Sequence, residues 1–163
     1  MSLSLVACTP SAENTSDPAG IGRTPEFADS SHQFTPEVMW QMGRIGGYHL
    51  SPEARKSVYG VTYYSVEKNR SRSVIYASTP SADSEAAMLT SSSASEYAPS
   101  FLPGPDKSVI LAPEENGSGA MQIWSMNADG TGRKQVSFEA EGVDDYLFSP
   151  CGNKVILIKG VAH

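Results

Sequence analysis

From Tyr48 onward, apolar and polar residues alternate in short runs that turn residues interrupt every few positions. This predicts strands, because successive strand side chains point to opposite faces. Ser57–Tyr64 and Ser73–Ser78 are β-branched and aromatic runs, and Ala87–Thr90 is a third, shorter one. Ser91–Ser95 is a polar connector, after which the pattern starts again. Ala98–Phe101, Ser108–Ala112, Met121–Ala128 and Lys134–Phe138 make four more short strands. Asp145–Phe148 and Lys154–Lys159 open a third cycle.

The cycles align with one another. Leu50-Ser51-Pro52, Phe101-Leu102-Pro103 and Phe148-Ser149-Pro150 open them, with the prolines 51 and 47 residues apart. Met88-Leu89-Thr90 and Gln135-Val136-Ser137 close the first two, 47 residues apart. Each opening predicts a tight turn, because proline fixes φ and cannot continue a strand ladder. Asp129-Gly130 between two strands predicts a hairpin turn with positive φ. A calcium loop there is disfavoured, since Thr131 stands where a fifth-position acid is needed. Four strands per unit at a period near 40–50 residues predicts propeller blades.

Ahead of the strands, Thr35-Pro36-Glu37 is a helix start: Thr as N-cap, Pro at the first helical position, an acid in the first turn. Val38, Met39 and Met42 are expected on one face, with Gly43 ending the helix as a left-handed residue. So short a helix needs packing against something else. Residues 1–33 carry Pro10, Pro18 and Pro25, scattered Ser and Thr, and no helical or strand period. They are expected to be a disordered leader, unable to bury enough apolar surface to offset ordering.

Composition narrows the classes further. The 163 residues are 39% hydrophobic and only 18% charged, with 14 Gly and 11 Pro, a mix suited to a turn-rich all-β chain. Net charge is −6 and no Lys/Arg cluster occurs, so nucleic acid is not expected as a partner. No apolar run approaches the roughly 18 residues of a spanning helix. Two cysteines, Cys8 and Cys151, and three separated histidines, His32, His49 and His163, give no metal-ligand set. No cofactor is expected.

The repeats resemble the WD40-like propeller repeats of TolB and of prolyl-oligopeptidase-family serine peptidases. The match is carried by Gln122-Ile123-Trp124-Ser125-Met126-Asn127-Ala128-Asp129-Gly130-Thr131-Gly132, by Gln135-Val136-Ser137, and by Ser149-Pro150-Cys151-Gly152, where Cys replaces the usual Asp. Arg44-Ile45-Gly46, Val58-Tyr59-Gly60-Val61-Thr62 and the following Tyr63–Asn69 look like the entry of bacterial dipeptidyl- and acylaminoacyl-type peptidases. The resemblance implies that residues 34–163 form the first two blades and part of a third. It also implies a parent enzyme with an α/β-hydrolase domain and a Ser-Asp-His triad. No G-x-S-x-G nucleophile elbow occurs in these residues, so a non-catalytic propeller portion is expected here.

Several residues are candidates for function. Leu5-Val6-Ala7-Cys8 resembles a bacterial lipobox, making Cys8 the candidate lipidation site and its lipid the expected membrane anchor. Glu114-Glu115 is the candidate substrate-binding pair, because dipeptidyl peptidases of this family hold a substrate α-ammonium with paired propeller glutamates. A solvated hairpin loop is the stronger reading of that pair, as it is of Asp144-Asp145. Trp124 and Tyr146 are expected in blade cores and Trp40 as the anchor of the short helix. Cys151 has no neighbour that argues for an activated thiolate. Asn69-Arg70-Ser71 and Asn116-Gly117-Ser118 match glycosylation acceptors, which a bacterial exported protein need not use.

The expected function is the propeller part of an exported serine peptidase, periplasmic or lipid-anchored, that cleaves short pieces from peptide N-termini. The propeller would restrict access of the peptide substrate. The alternative is a TolB-type propeller that binds a partner protein without catalysis. Open blade faces lead us to expect self-association of this chain.

Overall fold

A computed structural model describes residues 34–53, 55–79, 81, 85–90, 94–103, 107–114 and 118–160. Cys8, Glu115 and the expected leader 1–33 lie outside the described residues. A short helix, α1 (Pro36–Gln41), precedes two four-stranded antiparallel sheets and a two-stranded one. Blade 1 is β1 (Arg44–Leu50), β2 (Ser57–Ser65), β3 (Arg70–Ser78) and β4 (Ala87–Met88), side by side in that order. Blade 2 repeats the meander with β5 (Tyr97–Phe101), β6 (Lys107–Pro113), β7 (Met121–Asn127) and β8 (Lys134–Gln135). β9 (Asp145–Phe148) and β10 (Val155–Ile158) form the third sheet.

The turns follow their residues. In all three openings the amide before proline donates to a carbonyl five residues on: Ser51 to Lys56, Leu102 to Lys107 and Ser149 to Lys154. Ser51 and Ser149 tighten their turns, their hydroxyls accepting the Lys56 and Lys154 amides, each at 3.1 Å. Gly130 has φ +84, as the Asp-Gly pair predicts, and the Asp129 carboxylate accepts the Thr131 amide at 2.9 Å. The Thr131 hydroxyl and amide hold the Asp129 carboxyl below its ordinary pKa.

Blade 2 is buried on both faces. Ile110, Ala112, Trp124 and Met126 pack with Ile75 of blade 1, and partly buried Leu89 joins them. Val109, Leu111 and Ile123, on the opposite face, pack with Val143 and Tyr146. Trp124 is a core aromatic, as expected. Its indole N–H donates to the Ala112 carbonyl at 3.2 Å, and the Arg133 guanidinium lies 4.7 Å over its ring. Arg133 also pairs at 2.6 Å with Glu96, a buried carboxylate in the connection between blades 1 and 2.

Three local expectations are corrected. Met42, not Gly43, is the C-cap of α1, in extended backbone (φ −72, ψ 132). Gly43 is needed for space instead: a Cβ there would come within 2.7 Å of both Val61 and Tyr63. Met39 and Met42 are exposed, leaving Val38 as the buried residue of the helix. Trp40 does anchor it, meeting Tyr64 edge-on at 5.7 Å, with the Arg44 guanidinium 4.8 Å from the Trp40 ring centroid and 4.5 Å from that of Tyr64. Finally, β1 begins at Arg44, ahead of Tyr48, and bulges between Ile45 and Tyr48, where Gly46-Gly47 sits.

Candidate functional site

β1, β5 and β9 are the first strands of the three sheets, and with the proline turns they line an open cleft of about 500 Å³. His49 comes from β1, Pro99 and Phe101 from β5, and Asp145, Tyr146 and Phe148 from β9. These strands bring the residues together because each repeat returns the chain to the same edge of its sheet.

The wall is fixed from behind. β5 bulges between Tyr97 and Ser100, and Ala98 in the bulge has φ +48, unusual for a residue with a Cβ. The Tyr146 hydroxyl holds this segment by reaching the Ala98 carbonyl and the Val109 carbonyl, the latter at 3.1 Å. Burial, with a smaller contribution from the Asp145 charge, pushes the Tyr146 phenol well above its ordinary pKa. Tyr146 is therefore a neutral donor at any physiological pH.

The cleft's polar groups are few and placed. The Phe101 amide donates to His49 Nδ1 at 3.2 Å, tying blade 1 to blade 2 across the cleft. That bond uses the Nδ1 lone pair as its acceptor. The Asp145 carboxylate accepts the Tyr146 amide at 2.8 Å. Around these stand Phe101, Phe148 and the prolines Pro52, Pro99, Pro103 and Pro150, so the lining is mostly apolar with one imidazole and one carboxylate.

Glu114 is in the β6–β7 loop and does not line the cleft. Its carboxylate accepts the Ser118 hydroxyl at 3.1 Å and the Gln135 side-chain amide at 3.4 Å. Cys151 is exposed in the third proline turn. The Ser149 hydroxyl at 3.4 Å and then the Asn153 amide lower its thiol pKa. Among the described residues no cluster of three or more His, Cys, Asp or Glu could hold a metal ion. None of their helices is long and apolar enough to cross a membrane. Sequence reasoning did not single out His49, Phe101 or Asp145 as one site. The aligned proline openings were the available signal, since they put Leu50, Phe101 and Phe148 at one position of successive repeats.

No family model matches the sequence. Among curated proteins, a dipeptidyl-peptidase 5 of Porphyromonas endodontalis is 28% identical over 135 residues, 83% of this chain and 19% of that protein. The dipeptidyl-peptidase 5 of Porphyromonas gingivalis is 31% identical over 134 residues, 82% of this chain and 19% of that protein. The chain thus spans about a fifth of the length of these relatives. Among solved structures, a TolB of Agrobacterium tumefaciens superposes with a TM-score of 0.56 at 18% identity, covering 73% of this chain and 39% of that one. Over most of its length the chain is therefore homologous to the dipeptidyl-peptidase 5 proteins, and its sheets are propeller blades of the TolB type.

Proposed function

We propose that these residues are the propeller portion of an exported serine peptidase that removes short pieces from peptide N-termini. The observation that carries this reading is the relation to two dipeptidyl-peptidase 5 proteins across 82–83% of the chain. In such an enzyme a serine attacks the scissile carbonyl, a histidine takes and returns the proton, and an aspartate orients the histidine. This chain contributes the walls around that chemistry. The blades restrict entry to small peptides, and the cleft with His49, Phe101 and Asp145 meets the passing segment. Export and membrane attachment through a lipid on Cys8 belong to the same proposal.

The gene that carries this sequence, expressed as its whole reading frame, is expected to release chromophore from dipeptidyl substrates. The 163 residues alone are expected to give background rates. Partner capture by the whole product without any cleavage overturns the reading in favour of a TolB-type binder. Mass spectrometry of the membrane fraction is expected to find a lipid on Cys8, and an unmodified soluble N-terminus ahead of it overturns the anchor. For the Glu114-Glu115 pair, Glu114→Gln in the whole protein separates the two readings. A raised KM with unchanged kcat supports substrate-amine binding, and unchanged kinetics identify a loop residue.

A further inference from the structure

β5 is the edge strand of blade 2, hydrogen-bonded to β6 on one side. The Leu102 amide donates across the β5–β6 turn to the Lys107 carbonyl. Successive amides of a strand point to opposite sides, so the Phe101 amide, one residue earlier, points away from β6. Phe101 is only 6% exposed and packs with Val58 and Ala128, so water has little access to this amide. Its acceptor is His49 Nδ1 at 3.2 Å, on the edge strand of blade 1. The imidazole and phenyl rings lie beside each other, 6.2 Å between centroids.

An imidazole nitrogen accepts a hydrogen bond only while its lone pair is free. The imidazolium carries a proton on both nitrogens and only donates. A protonated His49 would set an N–H against the Phe101 N–H, and the bond is lost. Imidazole is the side chain that ordinarily changes charge between pH 5 and 8. We infer that His49 is a pH-dependent latch between blades 1 and 2, closed on the Phe101 amide when the ring is neutral and open when it is protonated. β1 stays paired with β2 through His49 and Val58, and Val58 stays packed on Phe101. Opening therefore releases one wall of the cleft from the other without unfolding either blade.

The other ionisable groups around the ring are of different kinds. β2 and β5, the strands against β1, carry tyrosines only: Tyr59, Tyr63, Tyr64 and Tyr97. β9 brings Asp145 and Tyr146 to the same cleft. The two proline turns add Lys56, Lys107 and Glu53, the last paired with Arg55 at 3.3 Å. β1 itself adds Arg44 and Tyr48. Phenols, carboxylates, ammonium groups and guanidinium ordinarily titrate outside pH 5–8, which leaves the imidazole as the group that changes there. The inference rests on a contact internal to blades 1 and 2 and is independent of the peptidase reading.

Amide hydrogen exchange of the 163-residue chain at pH 8 and at pH 5 tests it, each rate taken as protection relative to the intrinsic rate at that pH. His49→Asn is the variant, because its Oδ1 takes the place of Nδ1 and accepts at both pH values without titrating. His49 is exposed, so the substitution preserves folding. His32 and His163, outside the described residues, titrate in parent and variant alike. In the parent the Phe101 amide is expected to lose protection by about two- to tenfold from pH 8 to pH 5. In His49→Asn its protection is expected to be the same at both. The Ile110 amide, in the interior of blade 2, is the reference and is expected to hold its protection throughout. Equal protection of the parent's Phe101 amide at the two pH values, an equal loss in His49→Asn, or a loss that Ile110 shares overturns the latch.

Discussion

A single hydroxyl proton serves two acceptors at Tyr146, the carbonyls of Ala98 and Val109, and so joins the third sheet to the bulged β5. Tyr146→Phe keeps the ring in its apolar cluster and removes only the donor. It is expected to destabilise the chain by about 1–2 kcal/mol, read from the urea midpoint. The same phenol makes stability depend on alkaline pH. Its folded pKa is raised above the unfolded value of about 10, so the folded state holds the proton more tightly. The contribution is whole below pH 10 and is lost as pH rises toward the folded pKa. Tyr63, raised by burial and then by its hydrogen bond with Tyr76, acts in the same direction. Urea midpoints are therefore expected to fall from about pH 10 upward in the parent chain and to fall less in Tyr146→Phe. An equal fall in both removes Tyr146 from this account.

At the scale of elements, the outermost strands are shorter than the sequence predicts, and side chains are the reason. β4 and β8 end at Met88 and Gln135, whereas the apolar runs continue to Thr90 and Phe138. Beyond these ends a hydroxyl takes over the ladder. Thr90 Oγ1 accepts the Ile75 amide at 2.9 Å, and Ser137 Oγ accepts the Ile123 amide at 2.7 Å. The closing motifs Met88-Leu89-Thr90 and Gln135-Val136-Ser137, visible as a repeat, thus encode a cap as well as a strand. Ser137→Ala leaves the Ile123 amide buried without its acceptor and is expected to cost about 1–3 kcal/mol, while Ser137→Thr restores most of it. Gly130→Ala is expected to destabilise by more than about 1 kcal/mol. It places a Cβ at φ +84 and within 2.7 Å of the Leu89 carbonyl oxygen. Thermal unfolding checks both. The turns were legible in the sequence because Pro and Asp-Gly act through their own backbones. The start of β1 was not, because Gly46-Gly47 reads as a break when it forms a bulge. The exposure of Met39 and Met42 was not legible either, since helical spacing names a face without naming what covers it.

In the whole molecule, what was legible was the repeat, and what was not was everything made between repeats. The cleft joins His49, Phe101 and Asp145, which are far apart in sequence and become neighbours only when the sheets stack. Stacking also ranks the parts by stability. In β6 the run Ser108–Ala112 is buried throughout, because both faces of blade 2 are covered. Every residue of β1 is exposed, and β10 is mostly so. In a stacked array each unit is stabilised by its neighbours, so the middle unit gains from two interfaces and the outer units from one. Opening of an outer unit breaks one junction, whereas opening of blade 2 breaks both. Amide exchange of the monomeric chain at high dilution is therefore expected to be slowest in β6 and β7 and fastest in β1, β9 and β10. Uniform protection across the three sheets in the monomer would show one cooperative unit, and the ranking by covered faces would then be withdrawn.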